Sequence, residues 1–78
     1  MKIKSEHYTY MLEQIQLISN KMQTRNEYNK AGLSDRRYRW DLCYAARLTP
    51  WICANVYSYA NDDHIDTVLR KIVKELNL

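Results

Sequence analysis

The fold class is decided by a stretch near the end of the chain, Ile65-Asp66-Thr67-Val68-Leu69-Arg70-Lys71-Ile72-Val73-Lys74-Glu75-Leu76. Its apolar residues recur at intervals of three and four positions, which places them on one face of an α-helix. Charged and polar residues fill most of the positions between them, as is typical of a helix with one face in water. This pattern predicts an amphipathic helix over about residues 63–77.

The same spacing occurs near the start of the chain, in the apolar residues Tyr8, Met11, Leu12, Ile15, Ile18 and Met22. Ser5 is a suitable N-cap for a helix that contains them. Gly32 is the residue best suited to the left-handed position that follows a helix. We therefore predict one long helix over about residues 5–30, with weaker helix propensity from Thr24 to Asn29.

Two shorter helices are predicted between the long ones. Ser34 is well placed to cap a helix over about residues 35–47. Thr49 followed by Pro50 is typical of an N-cap and a first helical residue, and predicts another helix over about residues 50–59. The chain is thus expected to be all-α, a single helical domain spanning residues 1–78. It should form a compact array of four helices with the 35–47 helix at its centre.

The composition narrows the classes of function. Twelve Lys and Arg against nine Asp and Glu give a formal net charge of +3. That charge is compatible with nucleic acid or an acidic protein as partner, and it disfavours a nucleic-acid mimic, which needs a strongly acidic surface. No apolar run matches a signal peptide or approaches the ~20 residues that span a bilayer. We expect a cytoplasmic protein with no membrane partner.

Side chains that could carry chemistry are few. Cys43 and Cys53 form no CxxC pair, so they are predicted to be reduced, buried thiols. The segment 61–66 holds carboxylates and an imidazole that could bind a metal. Carboxylates at the start of a helix more simply cap its free amides, however, and no catalytic or phosphate-loop motif occurs elsewhere. We predict no enzymatic activity, no cofactor and no metal.

The strongest functional signal lies on the predicted helix 35–47. At ~100° per residue, one side carries Tyr38, Leu42, Ala45 and Ala46, and the other carries Cys43 and the predicted partner-binding residues Arg36, Arg39, Trp40 and Arg47. Guanidiniums around an indole can anchor an acidic protein surface, or bind phosphates and stack on a base. In the other interpretation, Trp40 and Cys43 form a second core face with arginine stems at its rim. The sequence leaves both interpretations open.

Two further features bear on partners. The helices predicted between Tyr38 and Tyr59 have the layout of a helix-turn-helix, but the turn lacks the usual glycine and the second helix has no basic residue. On the first predicted helix, Tyr10, Leu17 and Tyr28 form a second stripe opposite the main apolar face. This stripe is a predicted secondary partner or dimer surface, although isolated exposed apolar residues are also common.

The stretches Arg39-Trp40-Asp41-Leu42-Cys43-Tyr44-Ala45-Ala46 and Ala60-Asn61-Asp62-Asp63-His64-Ile65-Asp66-Thr67 resemble small uncharacterised accessory proteins of enterobacterial phages and prophages. The resemblance covers the last half of the chain. It implies a non-catalytic protein in the bacterial host cytoplasm that binds and modulates a host protein, defence components included. The alternative is a small nucleic-acid-binding regulator with a degenerate helix-turn-helix, and a homodimer is compatible with either function.

Overall fold

The computed structural model describes residues 3–55 and 62–78 and places five helices in them. They are α1 (Ser5–Ser19), α2 (Arg25–Lys30), α3 (Asp35–Ala45), α4 (Thr49–Asn55) and α5 (Asp62–Glu75). The described ranges contain no strand, so the predicted all-α class is confirmed. The four-helix array is right in outline, and α2 is the additional element. The end of the helix predicted over residues 50–59, namely residues 56–59, lies outside the described residues.

The predicted single helix over residues 5–30 is wrong, because the chain leaves the helix after Ser19 and begins a new one at Arg25. A capping box starts the second helix: Thr24 Oγ1 accepts a hydrogen bond from the Glu27 amide, and the Glu27 carboxylate accepts one from the Thr24 amide. Hydrogen bonding of the Glu27 carboxylate to the Thr24 amide, and then to the Thr24 side chain, lowers the pKa of the Glu27 carboxyl. The predicted cap Ser5 is instead the first helical residue.

In the part of the chain that the structure describes, three helices are followed by a residue in the left-handed conformation. These residues are Gly32 after α2, Arg47 after α3 and Asn77 after α5, with φ of 82°, 57° and 59°. In each case the next residue donates its amide to the carbonyl five positions back, which defines a Schellman motif. The prediction that Gly32 stops a helix is therefore confirmed, although that helix is α2. The helix predicted to reach residue 47 ends at Ala45.

Helix α3 lies at the centre, as predicted, and packs against α1, α2 and α5. The apolar face of α5 supplies more buried hydrophobic residues than any other described helix, as expected of an amphipathic helix: Ile65, Val68, Leu69, Ile72 and Val73. The fully buried large side chains come from every long helix and from both sides of the α3–α4 turn: Met11, Ile15, Leu42, Leu48, Ile52, Leu69 and Ile72. Because one core joins all the elements, the orientation of α3 decides which of its side chains remain available to a partner.

The two cysteines differ in environment. Cys43 is buried, its Sγ lies 3.1 Å from Thr49 Oγ1, and burial raises the pKa of its thiol. Cys53 is exposed, so the prediction that it is buried is wrong. In the short α4, Ile52 is the residue that faces the core, and Cys53, about 100° further round the helix, lies on the side in contact with solvent. Thr49, the predicted N-cap, lies within α4, and its hydroxyl forms a hydrogen bond with the Cys43 thiol.

A hydrogen bond from Tyr8 Oη to Glu75 Oε2 joins α1 to α5, with an O–O distance of 2.5 Å. Burial of the phenol, then this bond and the charge of Glu75, raise the pKa of Tyr8 from 10.0 to about 12. The phenol therefore keeps its proton more tightly in the folded chain than in the unfolded one. Its contribution to stability is complete below pH 10 and disappears as the pH rises through about 12.

We expect the wild-type protein to lose unfolding free energy between pH 10 and about 12, and the Tyr8→Phe variant to lose less over that interval. Urea unfolding followed by circular dichroism at a series of pH values measures both. A residual loss is expected in the variant, because burial or hydrogen bonding also raises the pKa of Tyr28 and Tyr38. Identical pH dependence in the two proteins would contradict the role assigned to the Tyr8–Glu75 bond.

Candidate partner-binding surface

The four residues predicted to form one binding face are divided by the structure. Arg36 and Arg47 are exposed and Trp40 is half-buried. Arg39 is only 8% exposed, and its Nε and Nη2 donate to Asp66 Oδ1 and Oδ2 at 2.9 and 3.1 Å. The prediction that Arg39 contacts a partner through this face is therefore wrong, because its guanidinium is held in a buried ion pair with α5.

The rotation of α3 about its own axis explains the error. Leu42 and Cys43, three and four positions after Arg39, are both completely buried, so all three lie on the inward side. Ala45, which the helical projection had grouped with the inward residues, is exposed. The core thus includes residues from both of the faces that were predicted for this helix. The interpretation in which Cys43 belongs to a second core face is the one that matches its burial.

Tyr44 is also exposed, although it was not among the predicted site residues. Its side chain is 62% exposed, and its ring lies 5.8 Å from that of Trp40 at an interplanar angle of 36°. Arg36, Trp40 and Tyr44 are four positions apart on α3, and Arg47 follows in the turn. We name these four residues the outer stripe. The spacing of four between Arg36, Trp40 and Tyr44 could have revealed the stripe, had the core side of α3 been known.

A shallow cavity adjoins the C-terminal end of the outer stripe, at the turn between α3 and α4. It has a volume of about 370 Å³ and is lined by Tyr44, Arg47, Thr49 and Pro50. The Schellman motif at Arg47 and the fixed φ of Pro50 restrict the backbone on both sides of the turn. The cavity is therefore held by rigid elements and offers a place for an apolar group beside a guanidinium.

Arg47 adopts a backbone conformation that is unfavourable for its residue type. Its φ of 57° lies in the left-handed region, where a side chain costs roughly 1–2 kcal/mol relative to the right-handed conformation. The equivalent position after α2 is occupied by Gly32, which has no such cost. Sites where a sequence departs from the locally preferred residue are candidates for function.

The second predicted surface, Tyr10, Leu17 and Tyr28, does not form a continuous stripe. Tyr28 is buried on α2: its hydroxyl donates to Asp41 Oδ2 at 2.7 Å, and its ring packs edge-on against Tyr38. The prediction that Tyr28 is a surface residue is therefore wrong. Tyr10 leans on the half-buried ring of Trp51, with centroids 4.7 Å apart. Leu17, 63% exposed, remains an isolated apolar residue.

The acidic segment at the start of α5 has a structural role that was not predicted from the sequence. Asp66 was grouped with first-turn capping carboxylates, but it accepts hydrogen bonds from both Arg39 and Arg70. Asn61 and the side chains of residues 62 and 63 lie outside the described part of the chain. Among the described residues, no three potential ligands come together to hold a metal ion. No described helix combines the length and apolar character needed to cross a bilayer.

Comparison with known proteins identifies no relative: no protein-family model matches the chain, and no curated protein or solved structure is significantly similar to it. The choice among functions therefore rests on the geometry of the outer stripe and its surroundings.

Proposed function

We propose that this chain is a non-catalytic accessory protein of the phage type that binds and modulates a host protein, defence components included. The outer stripe is the binding surface in this proposal. The observation that carries it is Arg47, whose backbone adopts the left-handed conformation although it has a side chain, next to an exposed tyrosine and a cavity. Glycine would relieve the backbone, so the local conformation does not itself favour an arginine at this position.

The chemistry of the outer stripe favours a protein partner with an acidic rim. Tryptophan, tyrosine and arginine are the residue types most enriched among those that dominate binding energy in protein interfaces. Trp40 and Tyr44 offer adjacent rings, and the half-buried position of Trp40 holds its indole in place before binding. Arg36 and Arg47 stand at the two ends of the ring pair. A partner with an apolar side chain for the cavity and carboxylates around it would match all of these groups.

The alternative function is a small nucleic-acid-binding regulator. The rings and guanidiniums of the outer stripe are also suited to bases and phosphates. The helix that would read bases in a helix-turn-helix, α4, has no Lys or Arg from Thr49 to Asn55. A docked recognition helix normally presents polar or basic side chains to base edges, so the protein partner is favoured.

The sharpest test is Arg47→Gly, with Asn77→Gly as matched control. Both positions follow a helix and have nearly the same φ, so each change should leave the unfolding free energy unchanged or raise it by up to about 1 kcal/mol. Only Arg47→Gly should lose the partner. Tagged wild-type, Arg47→Gly and Asn77→Gly proteins are compared in nuclease-treated bacterial lysate, and urea unfolding is measured alongside. A host protein captured by the first and third but not the second is the expected result.

Charge reversal separates the protein partner from nucleic acid. Arg36→Glu should weaken binding of the captured protein while the variant stays folded, with a shallow dependence on salt. A nucleic-acid partner would disappear after nuclease treatment, and its affinity would fall steeply with salt, with a log-log slope of roughly −0.7 to −0.9 per neutralised phosphate. Full binding by folded Arg47→Gly and Arg36→Glu variants would refute the outer stripe as the binding surface.

A further inference from the structure

A basic cleft lies between the start of α2 and the end of α5. Its volume is about 270 Å³, and it is lined by Arg25, Arg39, Arg70, Val73, Lys74, Asn77 and Leu78. None of these residues belongs to the outer stripe. Cationic side chains from three different helices meet in this cleft, although in the sequence Arg25 is 49 positions from Lys74.

The charges in the basic cleft are not balanced by the acidic side chain that pairs with them. Asp66 accepts hydrogen bonds from Arg39 and from Arg70 Nε, the latter at 3.1 Å. Four cationic side chains against this one carboxylate side chain leave a surplus of three positive charges, or of two when the terminal carboxylate of Leu78, which also lines the cleft, is counted. A ligand with two or more negative charges is the natural complement of such a surplus.

The same ion pairs also prepare the basic cleft for binding. A guanidinium has five N–H donors, and Asp66 occupies only some of those on Arg39 and Arg70. The carboxylate fixes the direction of both groups, so less conformational entropy is lost when the remaining donors meet a ligand. The guanidinium of Arg25 and the ammonium of Lys74, which belong to exposed residues, can then add charge-assisted hydrogen bonds to the ligand.

A second cavity continues from the basic cleft. It measures about 350 Å³, shares Arg25, Asn77 and Leu78 with the cleft, and is otherwise lined by Ser19, Thr24, Asn26 and Tyr38. These additional residues carry hydroxyl and amide groups and no charge. The two cavities together therefore present a cationic half and a neutral, hydrogen-bonding half.

We propose that the basic cleft binds a small molecule with one or two phosphate groups, and that the neutral cavity receives its polar body. The phosphoryl end of a nucleotide or of a sugar phosphate has this chemistry. A long single strand is disfavoured, because such ligands need exposed rings on which bases stack, and the one described ring that lines either cavity, Tyr38, is buried. This site is independent of the outer stripe.

The first experiment is a pyrophosphate titration followed by NMR of the backbone amides and the arginine Nε–Hε groups at constant ionic strength. Saturable shifts should centre on Arg70, Arg39 and residues 74–78. The double variant Arg25→Gln/Lys74→Gln should bind at least about tenfold more weakly. Its control is Lys21→Gln/Lys30→Gln, which removes the same charge from two exposed residues that line neither cavity. Equal affinity of the folded Arg25→Gln/Lys74→Gln variant and wild type would overturn the proposal.

The second experiment distinguishes the sources of the phosphate. ADP, a hexose phosphate and a short single-stranded oligonucleotide are each titrated in competition with pyrophosphate. Tighter binding of ADP or of the hexose phosphate, with shifts that extend to Thr24 and Asn26, supports a ligand that fills both cavities and identifies its body. An oligonucleotide that displaces pyrophosphate and binds at least about tenfold tighter than every small ligand would overturn the small-molecule assignment. Arg47→Gly should bind pyrophosphate normally, so the two proposals can fail separately.

Discussion

Replacing Asp66 by Asn is expected to destabilise the protein by about 3–5 kcal/mol, the effect of removing one partner from a buried ion pair. Arg39 would keep its charge and its buried position but lose the carboxylate that now accepts two of its N–H groups. Small domains have total stabilities of roughly 5–15 kcal/mol, so the loss is a large fraction of the whole. The variant should be partly unfolded under conditions in which wild type is native.

Urea unfolding followed by circular dichroism measures this loss, and Asp41→Asn is the control. Asp41 also accepts from an arginine, Arg37, and from Tyr28, but it is more exposed than Asp66. Its replacement should cost about 1 kcal/mol. The double variant Arg39→Met/Asp66→Leu should recover much of the lost stability, because no charge is then left unpaired in the interior. An Asp66→Asn variant as stable as Asp41→Asn would contradict a desolvated Arg39–Asp66 pair.

Replacing Leu69 by Ala is expected to cost about 2–5 kcal/mol, and Ile72→Ala should have a similar effect. Both side chains are completely buried on the face of α5 that packs against the central helix. Truncation loses their burial and leaves a cavity that the surrounding helices can fill only in part. The same urea experiment measures these variants.

Leu17→Ala is the matched control for the core variants. It removes the same group from a helix, but the Leu17 side chain is 63% exposed, so the change should stay within about 0.5 kcal/mol. A large loss at Leu17 would show that this residue contacts something, a second copy of the chain included. Wild-type stability of both Leu69→Ala and Ile72→Ala would show that α5 does not form the core.

Local patterns in the sequence predicted those parts of the fold that depend on neighbouring residues. The three-and-four spacing predicted α5, Ser34 caps α3 by accepting the amide of Arg37, and Gly32 takes the left-handed position. Helical periodicity and caps involve residues within about five positions, so a single sequence carries them. The capping box that starts α2 is also a signal between neighbouring residues. Thr24 and Glu27 have its spacing, although the prediction of one helix over about residues 5–30 did not use it.

The division of α3 between core and surface was decided by tertiary structure. Its side facing α5 is set by partners far away in the chain, such as Asp66, which is 27 positions from Arg39. Helical periodicity shows which residues share a face and does not show which face another helix will cover. The sequence by itself therefore determined the helices and most of their ends. Only packing, which buries Arg39 and leaves Tyr44 and Arg47 exposed, determined the surface available to a partner.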